Sequence, residues 1–440
     1  MGDLFKSLFG ALAGPIFLFV GLGMMFFVFS LLNVDIEPIL SFVLVSSPIW
    51  LPLVLFYILF EQWQDFSHAK FAYENGRVTL RIKLPQEVFK SPEAMENVFA
   101  QIHNPNGADN LWQAYVDGKH PLVSSFELVS IGGDVRFYVN VPRKKIKNAI
   151  EAQLYAQYPG IEIVEELVDY AAEVKWDPKE WAMMSFHIIK KGEDVLPIKT
   201  YIDLGMDKLP KEEFKVEPMA PILEHLGKAK PHERLYVQIL CTPHAKQDFN
   251  SGSIKNTATW EGKAAAKVDE LMGRDKKKLG TEETESRPTI TNTERDTIAA
   301  IERNVAKYAY EVGIRAMYIT KPDKFDGEMI GPLLKSFSQF DIIGRNGLGV
   351  RAKTEFDHAW FQDRSGKKQE RLKKNELEFY KRRWYEPQDK KKKVDNLKVM
   401  SVEELATIYH IPGSVVITPN LSRIESTRKE APANLPIGNY

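Results

Sequence analysis

The chain contains almost no cysteine and has no excess of charge of either sign. Cys241 is the one cysteine among 440 residues, so no disulfide framework can form within one chain. It lies in the apolar run Leu235–Cys241, and a lone thiol there is typical of a small buried hydrophobe in a reducing compartment. Lysine plus arginine and aspartate plus glutamate both number 59, so the overall charge indicates neither a generally basic nucleic-acid binder nor an acidic tail.

The sequence patterns of the common enzyme and metal sites are missing as well. GxxxxGK[ST] occurs nowhere, and Gly262-Lys263 is followed by Ala264, so the chain lacks the loop that holds nucleotide phosphates. There is no HExxH, no CxxC pair and no GxSxG. The nine histidines are scattered and are expected to be surface or capping residues. We therefore predict no catalytic residue, no metal site and no cofactor.

Two long uncharged runs are present near the start. Leu8–Leu32 has 25 residues and Pro38–Phe60 has 23. As helices each would span roughly 35 Å, which exceeds the bilayer hydrocarbon. We therefore predict a transmembrane helical hairpin over residues 1–62. Its loop, Asn33–Glu37, has two acids and no base, whereas bases flank the hairpin, so both ends are expected in the cytoplasm of a multi-pass inner-membrane protein.

The body after the hairpin is predicted to be α+β. Arg77–Pro85 alternates apolar and polar residues like a half-buried strand, and Ser91-Pro92-Glu93 opens a helix. Gly132-Gly133-Asp134 joins two further strands in a hairpin. A helix over 142–158 and a strand over 161–164 complete the order strand, helix, strand, strand, helix, strand. This order predicts a ferredoxin-like (split βαβ) domain over residues 70–170.

A second α+β unit of the same kind is predicted over residues 175–343. Its expected strands are 181–190, 234–242 and 313–320, and its expected helices are 219–226, 292–310 and 329–340. A polar insertion at about 243–290 is expected to be a mobile loop that starts with a helix from Trp260 to Met272. Residues 344–440 show few core signals and are predicted to form a basic helical segment, a short helix after Ser401 and an extended C-terminal arm.

The strongest polar feature is the basic stretch Arg364–Lys393, with thirteen bases, five acids and four interleaved aromatic residues. Bases and aromatic rings together are typical of surfaces that bind single-stranded nucleic acid, and a basic cluster beneath a bilayer also suits anionic lipids. A solvated helix whose aromatic face packs on the body also explains the pattern, without any ligand, and is the favoured interpretation. The candidate binding residues are Lys373, Lys374, Lys381, Arg382, Arg383, Lys390, Lys391, Lys392 and Lys393.

Four sequence segments resemble one region of a known protein family: Phe126–Tyr138, Ile150–Pro159, Tyr310–Ile319 and Ser401–Pro412. They are similar to the region between the membrane hairpin and the motor of type IV secretion and conjugation-type (coupling-protein-like) ATPases of reduced-genome bacteria. The end of the chain, Thr418–Ile437, resembles the connector that enters the ATPase there. The resemblance covers nearly the whole chain but stops before the motor, so it implies that the ATPase is a separate chain or that this chain is a truncated product.

The resemblance implies a non-enzymatic scaffold or adaptor of a DNA- or protein-transfer machine that docks a cytoplasmic ATPase and forms a homo-oligomer. Ile424, Leu435 and Ile437 are then the expected apolar docking residues of the arm. Two alternatives stay open at this point. One is a membrane tether that binds DNA or another nucleic acid through residues 364–393, and the other is an enzyme without a recognisable motif.

Overall fold

The structure of the chain is a computed structural model. It describes residues 37–85, 90–105, 107–207, 217–244, 260–273, 290–354, 363, 366–385, 397–413 and 423–424. The fold is mixed α and β, with an antiparallel sheet. The chain divides into two compact units, with the boundary between Ser67 and His68.

The first described element is a long apolar helix, α1 (Glu37–Asn75). It is the one helix in the described part of the chain that is long and apolar enough to cross a membrane, and its most apolar segment is entirely unburied. The predicted second apolar run is therefore a helix, but the helix continues 15 residues past Phe60 into polar sequence. The first predicted run, Leu8–Leu32, lies outside the described residues.

Ten strands form one sheet in the part of the chain that the structure describes. They are β1 (Arg77–Pro85), β2 (Ser124–Ile131), β3 (Asp134–Pro142), β4 (Glu162–Glu166), β5 (Ala182–Lys190), β6 (Arg234–Pro243), β7 (Ala309–Thr320), β8 (Leu348–Ala352), β9 (Lys398–Ser401) and β10 (Arg423–Ile424). Their order is β10-β1-β3-β2-β6-β7-β5-β8, with β4 paired to β1 and β9 paired to β7. All pairs are antiparallel except β1 with β10.

The α-helices of the body connect these strands. They are α2 (Glu93–Ile102), α3 (Leu111–Tyr115), α4 (Lys147–Gln157), α5 (Ala220–Gly227), α6 (Trp260–Leu271), α7 (Asn292–Val305), α8 (Ile330–Lys335), α9 (Lys367–Arg382) and α10 (Val402–Ile408). Capping boxes fix the starts of two of them: Thr291 with Glu294 at α7, and Ser401 with Glu404 at α10. The predicted helix start at Ser401 is thereby confirmed.

The main apolar core lies on one face of the sheet. Inward residues of the strands, such as Phe126, Phe137 and Ile239, pack there against α2, α4, α5, α8 and α10. A smaller cluster on the opposite face joins Tyr236 and Met317 to α9. The sheet is therefore covered on both faces, and α9 packs on the second face.

The structure differs from the sequence predictions at one helix boundary and in the packing after residue 344. The helix expected over 292–310 ends at Val305, and Ala309 begins β7, because Tyr308 falls at helical spacing without being part of the helix. The few core signals after residue 344 are also misleading, because β8 joins the sheet and Leu405, Ala406, Ile408 and Tyr409 of the α10 segment are fully buried in the main core. The described C-terminal segments are thus an integral part of the body.

Candidate functional site

Helix α9 carries most of the described part of the basic stretch. Its first turn is capped by Asp363, whose carboxylate accepts hydrogen bonds from the backbone N–H groups of Lys368 and Gln369 at 3.1 and 2.9 Å. Arg383 follows the last residue of the helix and adopts the left-handed conformation with φ of 52°. That conformation is costly for a residue with a Cβ, so the surrounding contacts must stabilise it.

The inner side of α9 covers a row of polar side chains that crosses the sheet. Glu127 of β2 pairs in register with Gln238 of β6, Gln238 with Arg315 of β7, and Arg315 with His187 of β5. All four side chains are buried, at 2% exposure or less. Because residues in register point to the same face of a sheet, the row forms one continuous polar line beneath the helix.

At one end of this row, Arg383 forms a buried ion-pair centre. Its guanidinium donates to Glu127 from Nε at 2.9 Å and is also paired with Asp169. The carboxylate of Glu127 accepts further hydrogen bonds from Ser125 and Tyr170, each at 2.6 Å. Every charge here is opposed and hydrogen-bonded, which is the condition under which buried charges are tolerated.

The titration of Glu127 reflects this environment. Burial alone would raise the pKa of the Glu127 carboxyl. The charge of Arg383 and the hydrogen bonds from Arg383, Ser125 and Tyr170 outweigh burial, so the pKa lies below its ordinary value. Glu127 is therefore ionised at neutral pH although it is fully buried.

At the other end of the row, Glu376 of α9 meets His187 and Arg315. Its carboxylate lies 3.2 Å from Nε2 of His187 and 3.9 Å from a guanidinium nitrogen of Arg315. Burial lowers the pKa of His187 to about 4, although Glu376 acts in the opposite direction. The imidazole is thus neutral at pH 7, and the ring of Tyr385 packs over it with centroids 4.5 Å apart.

The predicted basic residues divide between the two sides of the helix. Lys374 and Arg382 are exposed, whereas Arg383 is 4% exposed and belongs to the buried centre. Lys373 and Lys381 are half-buried, and Lys381 lies 3.4 Å from Glu378. Lys390, Lys391, Lys392 and Lys393 lie outside the described residues. The exposed bases of α9, including three that were not among the candidates, are Lys367, Lys368, Arg371, Lys374 and Arg382.

The predicted docking residues are only partly described. Ile424 belongs to β10, whose backbone pairs with β1 at Leu84 and Pro85. Leu435 and Ile437 lie outside the described residues. The arm expected after Thr418 thus includes a short strand on the edge of the chain's own sheet.

A second buried polar centre holds α10 in place. Lys190 and Glu404, both with fully buried side chains, lie 2.8 Å apart, and Glu404 also accepts the backbone N–H of Ile198. The carboxylate of the neighbouring Glu403 lies 2.9 Å from Nζ of Lys307 and also contacts the guanidinium of Arg303. These contacts explain why two consecutive acids can be buried in one short helix.

A cavity of about 410 Å³ opens near that centre, lined by residues of α7 and of the segment 342–345. Its two arginines already serve the fold: Arg345 donates to the carbonyls of Pro197 and Ile198, and Arg303 donates to Glu403. We therefore assign no ligand to this cavity. Among the described residues, no three His, Cys, Asp or Glu side chains are grouped so that they could hold a metal ion.

Sequence reasoning missed the polar row, although each member leaves a signal. Glu127, Gln238, Arg315 and His187 each interrupt an otherwise apolar strand pattern, as in Phe126-Glu127-Leu128. A polar residue within such a strand indicates a buried polar partner. The signal does not say which distant residue the partner is.

Residues 64–423 match the model of the family described as Domain of unknown function (DUF8128). The match covers most of the chain, so the chain belongs to this family. No curated protein matches the chain significantly.

Proposed function

We propose that this chain is a non-enzymatic, membrane-anchored scaffold of a type IV secretion- or conjugation-like transfer machine, whose body docks a separate ATPase. The observation that carries the proposal is the direct passage from α1 into the sheet. Gly76 alone separates α1 from β1, and the carbonyls of Asn75 and Gly76 accept hydrogen bonds from the backbone of Lys144 and Arg143 at 3.3 and 3.2 Å. The helix that contains the candidate membrane span therefore continues along the chain to within one residue of β1.

Within this proposal the body consists of two ferredoxin-like units joined edge to edge. The order β4-β1-β3-β2 in the first half is repeated as β8-β5-β7-β6 in the second half, and β2 pairs with β6 between them. The uncharged run Leu8–Leu32 supplies a second membrane helix, so that both chain ends face the cytoplasm.

The buried charges of the body support a structural role over a catalytic one. Glu127 with Arg383 and Lys190 with Glu404 are each enclosed within the body. Groups that perform acid–base chemistry must reach a substrate, whereas these groups bind elements of the fold to one another. A body held in this way suits a rigid platform for partners, including further copies of the chain.

The proposal that an ATPase is the partner rests on the four sequence segments and the C-terminal connector that resemble conjugation-type ATPases. Strand β10 places Ile424 on the sheet edge, immediately before residues 425–440, which contain the other two expected docking residues. Apolar side chains that follow a fixed anchor are a common way to recruit a partner at low entropic cost.

The test uses the full chain in lipid nanodiscs and a Walker-type ATPase from the same genome. We expect a complex detectable by mass photometry, and we expect Leu435→Asp with Ile437→Asp to abolish it without changing the thermal unfolding midpoint. The double variant Lys321→Asp with Lys324→Asp, at the two ends of an exposed 3-10 turn, is the control and should bind normally. The absence of any complex with the unmutated chain contradicts docking. ATP turnover by the chain alone above roughly 1 per second contradicts the non-enzymatic role.

A further inference from the structure

We propose that the outward face of α9 is a binding surface for single-stranded nucleic acid, formed by Lys367, Lys368, Arg371, Lys374 and Arg382 with Trp384 as a stacking residue. Such a surface goes beyond the scaffold role and does not require an ATPase. Its basis is the division of charges that the fold imposes on the helix.

The helix is more basic than its structural role requires. Residues 367–382 contain seven bases and three acids, although the whole chain has equal numbers of both. One of the three acids, Glu376, points inward to His187 and Arg315, and another, Glu378, lies beside Lys381. The third acid, Glu370, is exposed in the first turn. Five exposed bases against this one exposed acid leave the outward face with a local excess of positive charge.

Two of these bases stand where they destabilise the helix. Lys367 and Lys368 are its first two residues, beside the positive end of the helix dipole, where acids are preferred. The carboxylate of Asp363, which caps the backbone there, and that of Glu370 in the first turn partly offset the cost. A local rule broken in this way, without a packing contact that requires it, is typical of a functional surface.

The outward face is also held firmly. Leu377 and Tyr380 are fully buried beneath it, and Arg383 closes its end through Glu127 and Asp169. From Lys367 to Arg382 the bases extend over roughly 22 Å of helix. A rigid row of that length meets several successive phosphates without the entropic cost of ordering a loop.

A single-stranded nucleic acid fits this face better than a lipid surface. The apolar side of α9 is already used against the sheet, whereas a helix that lies in a bilayer interface needs an exposed apolar side. Trp384 is 47% exposed, two residues after Arg382, and its ring is braced edge-on by Phe379 at 5.0 Å. An exposed, braced indole beside cations offers a platform on which a base can stack.

The experiment measures binding of a fluorescent 30-nucleotide single strand of mixed sequence to the full chain in nanodiscs of neutral phosphatidylcholine. The variant replaces Lys367, Lys368, Arg371 and Lys374 by Gln. The control replaces four exposed bases elsewhere by Gln, namely Lys144, Lys145, Lys321 and Lys324, and so removes the same charge.

If these four bases contact phosphates, they account for a roughly 50-fold loss of wild-type affinity between 50 and 200 mM salt. We expect the α9 variant to lose that part of the salt dependence, and the control to retain it. Trp384→Leu should weaken binding of the strand by roughly tenfold while leaving binding of inorganic polyphosphate, which has no bases, unchanged.

Three results overturn the inference. The first is no binding by the wild type at 50 mM salt in neutral nanodiscs. The second is equal loss of binding in the α9 variant and the control, which means that only overall charge matters. The third is protection of α9 from hydrogen exchange in nanodiscs containing phosphatidylserine but not on addition of the strand, which identifies a lipid-facing surface. None of these outcomes depends on the ATPase complex, so the scaffold proposal is tested separately.

Discussion

The guanidinium of Arg383 and the carboxylate of Glu127, 256 positions apart in the chain, lie 2.9 Å from each other in the buried interior. Arg383 adopts a left-handed backbone conformation, and Glu127 occupies the middle of a central strand. This contact joins the end of the basic helix to the sheet. The stability of the body should therefore depend on it and on its surroundings in ways that can be measured.

Replacing Arg383 by Met should destabilise the body by about 3–5 kcal/mol, because Glu127 then stays buried without its cation. The matched control is Arg382→Met on the exposed side, for which we expect a change within about 0.5 kcal/mol. Adding Glu127→Gln to Arg383→Met should recover part of the loss. Urea unfolding of the protein in nanodiscs, followed by tryptophan fluorescence, measures all three. Equal stability of the two single variants would show that the buried pair is unimportant.

Stability should fall in acid as a result of His187. Its folded pKa is about 4 because of burial, whereas an exposed histidine titrates near 6.5. Between these values the unfolded chain binds the extra proton and the folded chain does not, so the free energy of unfolding decreases as pH falls from about 6.5 to 4.

His187→Gln should therefore flatten part of this pH dependence, which unfolding curves at pH 4, 5, 6 and 7 can measure. His103, His120 and His225, whose pKa values are also lowered, chiefly by burial, contribute to the remainder. An unchanged slope in His187→Gln would mean that the imidazole is solvated or charged in the folded protein. Burial would raise the pKa of the Glu376 carboxyl, but His187, Arg315 and Lys353 lower it below its ordinary value. The stability that this provides is present above the ordinary glutamate pKa and is lost as the pH falls below it.

Gly313 should tolerate no side chain. A Cβ there would lie 2.5 Å from the ring of Tyr385, which covers the polar row at that point. Gly313→Ala should therefore displace Tyr385 and cost about 1–3 kcal/mol. Gly331→Ala, where a Cβ meets nothing within 4 Å, is the control and should leave the unfolding free energy unchanged or slightly increased. The combination Gly313→Ala with Tyr385→Ala should be less harmful than additivity predicts if the clash is the cause.

Truncation should distinguish the C-terminal segments that belong to the body from the residues after Ile424. A chain that ends at Leu397 lacks β9 and α10, which bury Leu405, Ile408 and Tyr409 and pair Glu404 with Lys190. We expect it not to fold, since the loss of even one such core side chain costs about 2–5 kcal/mol. A chain that ends at Ile424 should keep the trypsin resistance of the full protein. Equal trypsin resistance of both chains would contradict the packing of α10.

The membrane topology can be tested with the native thiol in place. Cys241 is buried, and burial raises the pKa of its thiol, so it should react slowly with maleimides. Val34→Cys should be labelled from outside intact cells, and Lys321→Cys only after the membrane is opened. Labelling of both positions from the same side would exclude the proposed hairpin orientation.

The strands β1–β7 were predictable because each repeats a simple pattern along a short stretch. Arg77–Pro85 alternates clearly enough that its predicted and observed bounds coincide. The sequence Ser401-Val402-Glu403-Glu404 likewise contains all the information for its capping box, since the two partners are three residues apart. Local regularities of this kind depend on near neighbours, and those are visible in the sequence.

The polar centres were not predictable for the opposite reason. Glu403 and Glu404 look like the solvent-exposed first turn of a helix, yet they are buried because Lys190 and Lys307 reach them from other elements. Arg383 likewise follows Arg382 in a uniformly basic stretch, and nothing local shows that one points inward. Whether a charge is exposed or paired depends on residues hundreds of positions away.

The line Glu127–Gln238–Arg315–His187 also fixes how the strands can be assembled. Sliding β2 by one residue against β6 would turn Glu127 into the apolar layer around Phe126 and turn Phe126 toward Arg383. An ionised carboxylate would then be dehydrated without a partner. Misaligned sheets are thus penalised far more heavily than an all-apolar core would penalise them. The row therefore specifies the register in which the two repeated strand arrangements pair, edge to edge, through β2 and β6.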